Sequence, residues 1–142
     1  LKNVEAESIR AVVDAGIIPV CCGGGGVPVI RDSSTGLYTG AQAVIDKDLC
    51  AAILARETGA ELLVIATDVD GVYTDWGTPR QRRIDHAKPS DLERSRFANG
   101  SMGPKVRAAC RFVRRTGQRA VIGSLEDIGD IVAGRAGTLI EP

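Results

Sequence analysis

The sequence predicts a layered α/β unit with a largely parallel sheet, because short apolar runs alternate along it with segments of helical spacing. Glycine stops after the helical segments and a glycine-rich turn after the first apolar run support this. Residues 4–14 place Ile9, Val12 and Val13 near helical spacing, with Gly16 as a stop. Residues 17–22 (IIPVCC) read as a short buried strand, although Pro19 lacks the amide that a central strand would use. A run of four glycines follows, and residues 27–30 resume an extended pattern. Residues 31–40 are a polar loop or small hairpin.

Residues 46–58 form the next helix, capped by Asp46, with Leu49, Ala52 and Ile53 on one face and Gly59 closing it. Residues 62–66 (LLVIA) are the clearest buried strand, running into the loop Thr67-Asp68-Val69-Asp70-Gly71, after which residues 72–74 are extended. The stretch 75–100 is polar, with a short helix expected over 91–96. Ser101 then caps a helix whose first turn holds Pro104, where a missing amide costs nothing. Its apolar face is Val106, Ala109, Cys110 and Val113, its outer face Lys105, Arg107, Arg111, Arg114 and Arg115, and Gly117 ends it. Residues 120–122 read as a strand, 127–133 as a helix and 138–140 as a terminal strand. In such sheets ligands gather at the carboxyl ends of strands, where the glycine run and the loop after residue 66 are both expected.

Length and composition fit one domain of 142 residues, 44% apolar and 25% charged. Eighteen basic residues cancel eighteen acidic ones, so no overall field recruits nucleic acid or an anionic membrane, and a bound anion must be held by local design. No export signal or membrane-length apolar run is recognisable. Cys21, Cys22, Cys50 and Cys110 make no C-x-x-C pair and His86, the single histidine, is remote from them, so buried reduced thiols are expected rather than zinc. His86 reads as a surface residue. The chain begins Leu1-Lys2-Asn3 and its one methionine is Met102, which suggests a piece of a longer protein.

Gly23, Gly24, Gly25 and Gly26 fit neither a G-x-G-x-x-G fingerprint, which would need glycine where Pro28 stands, nor a phosphate loop ending in G-K-[ST]. Two readings remain: backbone amides open to an anion, or a flexible tight turn. Asp46-Lys47-Asp48 opens a helix, where the unpaired amides favour negative charge. Lys47 can point at a transferable phosphate there, or the trio can be plain acidic capping. Lys105 stands in the first turn of its helix against the dipole preference, and such local conflicts tend to mark function. The loop 67–73 (TDVDGVY) can bond a ribose or adenine, lie near a metal, or simply form an Asx-type turn.

Together, IIPVCCGGGGVPVI (17–30), AVIDKD (43–48), TDVDGVY (67–73) and SMGPKV (101–106) resemble the carbamate kinases of the amino acid kinase family, in order and in spacing. The closing AGTLI (136–140) is also similar to that family's carboxyl end. The resemblance covers nearly the whole chain but only the carboxyl-terminal half of a full enzyme. It implies a three-layer α/β/α sandwich whose amino-terminal half is absent, with residues 1–142 as the nucleotide-binding part. It further implies ADP or ATP with Mg2+, a cytoplasmic homodimer, and the reversible reaction of ATP with carbamate to ADP and carbamoyl phosphate, run toward ATP in fermentative arginine breakdown.

By the same resemblance, Lys47 contacts the transferred phosphoryl group, Asp48 orients the active-site lysines and Lys105 neutralises charge near the bridging oxygen. Thr67, Asp68, Gly71, Tyr73, Met102 and Gly103 surround the nucleotide, and Gly23 to Gly26 border the transferring phosphate and acceptor. No metal-ligating residue is implied. The family's first glycine-rich loop and its lysine-bearing lid segment have no counterpart here, so the 142 residues alone are expected to bind nucleotide weakly and to be inactive. Rival expectations are a related kinase acting on acetylglutamate, a nucleoside monophosphate or an isoprenoid phosphate, and a noncatalytic nucleotide sensor. Retention of Lys47, Asp48 and Lys105 disfavours the sensor.

Overall fold

A computed structural model describes every residue except Arg96, Ala98, Asn99 and Gly100. Helix α1 (Ala6–Asp14) is followed by an antiparallel hairpin of β1 (Val29–Arg31) and β2 (Tyr38–Gly40). Helix α2 (Lys47–Thr58) leads into β3 (Leu62–Thr67), and β4 (Val72–Thr74) pairs antiparallel with β5 (Arg82–Ile84). After β6 (His86–Ala87) come α3 (Pro89–Arg94), α4 (Met102–Thr116) and β7 (Arg119–Ser124). A 3-10 turn (Leu125–Asp127), α5 (Ile128–Val132) and β8 (Thr138–Ile140) complete the chain.

The main sheet has the order β3-β7-β8-β6, with β3 parallel to β7 and β6 parallel to β8. The sheet is mostly parallel, as expected, but mixed, since the β7–β8 pair is antiparallel. The reason lies in the connection: α5 is a single short helix, and the chain turns back beside β7 rather than crossing over the sheet.

Alternation along β7 distributes its side chains to two faces. Ala120 and Ile122 join the main core, packed with Val106, Ala109, Cys110, Phe112 and Val113 of α4 and with Ala52 of α2. On the other face a Cβ at Gly123 would stand 2.8 Å from the Cδ1 atom of Ile131, which places α5 there. Helices therefore cover both faces of the sheet.

Several expected elements form for the reasons anticipated. Asp46 accepts the Leu49 amide at 2.8 Å and Gly59 ends α2 in the left-handed conformation that glycine adopts freely. The polar stretch 31–40 closes a hairpin that begins at Val29, turned by Asp32, whose Oδ1 accepts the amides of Ser34 and Thr35 at 2.8 Å each. The Ser34 hydroxyl, which also donates to Asp32, and these two amides hold the Asp32 carboxyl well below the usual carboxylate range.

Other expectations need correction. Residues 17–22 are not a strand and are not buried: Ile18 is 92% and Val20 100% exposed. An apolar run becomes a strand only where a neighbour accepts its backbone hydrogen bonds, and the described residues place none beside it. α1 likewise buries no residue fully. Ser101 precedes α4 but its side chain makes no capping bond. The polar stretch after residue 75 contains β5 and β6, whose pattern is too short and too charged to show period-two alternation. Arg96, the last residue of the helix expected over 91–96, lies outside the described residues, and the helix ends at Arg94.

Cys50 and Cys110 are buried, whereas Cys21 and Cys22 are only half-buried, contrary to the expectation of four buried thiols. Burial pushes the Cys110 thiol up to about 11, and burial plus the neighbouring Cys22 thiol does the same to Cys50. Thiolate is the reactive form, so iodoacetamide at pH 8 should modify Cys21 and Cys22 well before Cys50 and Cys110, as read by mass spectrometry over time. Phe112 is 1% exposed at the centre of the α4 face. Phe112→Ala should lower the unfolding free energy by about 3–5 kcal/mol in a urea titration.

Candidate functional site

The starts of α2 and α4 are brought together by one ion pair. Lys105 Nζ lies 3.3 Å from Asp48 Oδ1 and 3.2 Å from Oδ2, with side chains 14% and 10% exposed respectively. Both residues stand in the first turn of their helices, so the pair fixes two positive helix ends at one place. The Asp48 carboxylate points across to α4 rather than to its own helix, whose capping falls to Asp46. Lys47 precedes Asp48, is exposed, and makes no ion pair among the described residues.

The start of α4 is electrostatically unfinished. Among the described residues it has no side-chain cap, its first turn holds no acidic residue, and Pro104 brings no amide. Open amides at a helix start are satisfied by water or by a bound anion. Gly103 is buried and Met102 packs against the core beneath this turn. Gly100, part of the same expected turn, lies outside the described residues.

The glycine run lies against the entrance to α2. A Cβ at Gly25 would fall 2.2 Å from the Ile45 carbonyl oxygen, so glycine there is required by close backbone approach. A Cβ at Gly23, Gly24 or Gly26 would meet nothing within 4 Å. Not all four amides are free, however: Gly23 donates to Cys21 and Gly25 to Cys22, each at 2.8 Å. The Gly24 and Gly26 amides have no acceptor among the described residues. The run is thus both a tight turn and a surface with two open amides.

The loop 67–73 leaves the carboxyl end of β3, as the parallel-sheet rule anticipates. Its two carboxylates differ in freedom. Asp70 accepts the Tyr73 hydroxyl at 2.8 Å and pairs with Arg83 Nε at 3.1 Å. The hydrogen bond to Asp70, with a lesser contribution from burial, pushes the Tyr73 phenol upward. Asp68 is exposed and takes only a 3.0 Å bond from the Thr67 hydroxyl. Gly71 is buried, and Trp76, 62% exposed, sets its ring edge-on to Tyr73 with centroids 5.1 Å apart. The sequence did not single out Arg83 or Thr138, which hold this loop in place from the solvent side and from beneath respectively. The only signal was a threonine inside an apolar terminal strand.

Two concave surfaces border these segments: one of about 420 Å3 among Leu49, Glu93, Arg107, Arg111, Arg114 and Arg115, and one of about 660 Å3 beside Arg83, Val121 and Leu139. His86 borders the second, exposed and bonded to Glu141 at 2.8 Å. Among the described residues no three His, Cys, Asp or Glu side chains cluster at metal-binding distance, and no helix is long and apolar enough to cross a membrane.

Comparison with known proteins bears on what this arrangement belongs to. The chain is 50% identical over 136 residues to the carbamate kinase of Haemophilus influenzae and 48% identical over 139 residues to that of Escherichia coli K12. These matches take in 96% and 98% of the chain but only 44% and 45% of the relatives, so the chain spans under half their length. The structure of carbamate kinase from Giardia lamblia bound to AMP-PNP superposes with a TM-score of 0.94 at 36% identity, covering 99% of this chain and 50% of that one. UMP kinase from Bacillus anthracis shares the fold with a TM-score of 0.68 at 18% identity. The model of the amino acid kinase family matches residues 1–124, and the chain accordingly belongs to the amino acid kinase family.

Proposed function

We propose that residues 1–142 are the nucleotide-binding part of a carbamate kinase, which transfers a phosphoryl group reversibly between ATP and carbamate. The observation that carries this reading is the Asp48–Lys105 pair, which joins two helix starts, with the glycine turn packed on Ile45 at the entrance to α2. Its support from relatives is that carbamate kinases match nearly all of the chain at about half identity.

In this reading the carbamate oxygen attacks the terminal phosphorus of ATP, the bond to the bridging oxygen breaks, and ADP leaves with that electron pair. Carbamoyl phosphate and ADP react by the reverse path. The transition state is loose and rich in negative charge, so the protein contributes position and positive charge rather than a covalent intermediate. Lys47, exposed and unpaired among the described residues, reaches the transferred group. Lys105, held by Asp48, faces the bridging oxygen with the uncapped α4 start behind it. Gly24 and Gly26 offer their open amides to the transferring phosphate, with Gly23 and Gly25 forming the turn that presents them. Thr67, Asp68, Gly71, Tyr73, Met102 and Gly103 receive the ribose and base.

Magnesium fits this site as part of the nucleotide. It commonly keeps most of its ligands as water and phosphate, and the described residues build no carboxylate cage for it. Bound there it offsets phosphate charge. We extend the proposal to the complete protein as a three-layer α/β/α sandwich, a cytoplasmic homodimer, and a participant in fermentative arginine breakdown.

In the complete protein Lys105→Ala should lower turnover roughly a hundredfold, about 3 kcal/mol of transition-state stabilisation, with little effect on unfolding. Near-normal turnover would remove Lys105 from the chemistry. The 142-residue chain alone should bind ADP weakly and form no measurable ATP from carbamoyl phosphate and ADP. A robust rate in that coupled assay would show that the chain holds a complete site.

A further inference from the structure

We propose that Thr138, backed by Arg83, is a positioning residue for the nucleotide loop 67–73: its buried hydroxyl latches that loop to the terminal strand. The inference rests on the reading of this loop as a nucleotide contact. Thr138 lies beyond residues 1–124, the part that the family model matches.

Thr138 opens β8 and is 0% exposed. Its Oγ1 accepts the Val72 amide at 2.7 Å, while its hydroxyl donates to the Ile84 carbonyl. Val72 and Ile84 are partners in the β4–β5 hairpin, so one hydroxyl joins both strands of that hairpin to the main sheet. Only a group that donates and accepts at once can do this, and valine, equal in shape, can do neither. The loop is seated directly on the hydroxyl. A Cβ at Gly71 would stand 2.8 Å from Thr138 Oγ1 and 3.2 Å from Arg83 Nε, so the backbone approaches as closely as glycine permits.

Arg83 closes the latch from the solvent side. Its Nε pairs with Asp70 Oδ2 at 3.1 Å, and its Nη2 donates to the carbonyls of Asp70 and Gly137 at 3.3 Å each. One guanidinium therefore spans from the loop to the residue before Thr138, and its Nη1 is braced by Asp85. Asp70 is engaged by Arg83 and by the Tyr73 hydroxyl, whereas the exposed Asp68 takes only the Thr67 hydroxyl bond among the described residues. The latch thus decides which carboxylate is structural and which is presented. Without the hydroxyl, the β4–β5 hairpin loses the tie that holds both its strands to the main sheet, and the loop gains freedom that a ligand must remove on binding.

The test compares Thr138→Val and Thr138→Ser in ADP titrations and in acrylamide quenching of Trp76, the single tryptophan, which packs on Tyr73 at the end of the loop. Thr138→Val should weaken ADP binding about tenfold, the scale of one lost buried hydrogen bond, and make Trp76 more quenchable. Thr138→Ser should behave like the parent. In the complete protein the KM for ADP should rise while kcat changes less than about threefold, as for lost ground-state binding. A folded Thr138→Val with parental ADP affinity and parental quenching would overturn the proposal. If Thr138→Val does not fold, Arg83→Gln decides: a more quenchable Trp76 supports the latch and an unchanged one overturns it. If the parent binds no ADP, the nucleotide reading fails, while the quenching comparison still decides whether the latch holds the loop.

Discussion

The contact between Asp48 and Lys105 is the constraint on which the candidate site depends. Two helices whose apolar faces pack on one sheet can slide or rotate with modest loss, because hydrophobic contact has no direction. A two-oxygen contact with a lysine does have direction. It fixes the first turn of α2 against the first turn of α4, and with them Lys47, the open α4 amides and the glycine turn lying on Ile45. The pair is sheltered, at 10% and 14% exposure, so it is less screened by salt than a surface bridge.

The positions of both lysines run against helix electrostatics. A lysine in the first turn faces the positive end of its own helix, and α4 adds a start that no described side chain caps, with no acidic residue in that turn. Each feature alone costs stability. Together they make a place that is more favourable when an anion occupies it, which is the expected signature of a site for phosphate. Asp48 restrains this accumulation of positive charge without filling it, since it reaches Lys105 and leaves Lys47 unpaired among the described residues.

Helix boundaries were legible wherever a local rule sets them. Asp46 and Gly59 bound α2, and Gly117 ends α4, because capping and left-handed glycine depend on a few adjacent residues. The strand 62–67 was legible from its apolar run. The strand expected over 17–22 failed because a strand is defined by its neighbour, which no local pattern encodes. β5 and β6 escaped notice because pairing with β4 and β8, not hydrophobicity, makes them strands. In the site, the two lysines stood out by position, but the division of labour between Asp68 and Asp70 depends on Arg83 and Thr138, which lie far along the chain and meet the loop only in the fold.

The proposed convergence of separate segments on one nucleotide is most directly tested by amide chemical-shift mapping of the 15N-labelled chain during addition of ADP. If the two helix starts and the strand-end loop share that ligand, the amides of Lys47 and Asp48, of residues 67–73 and of Met102 to Lys105 should shift along one common binding curve. Shifts confined to the arginine face of α4 or to the groove beside His86, with these segments silent, would contradict it.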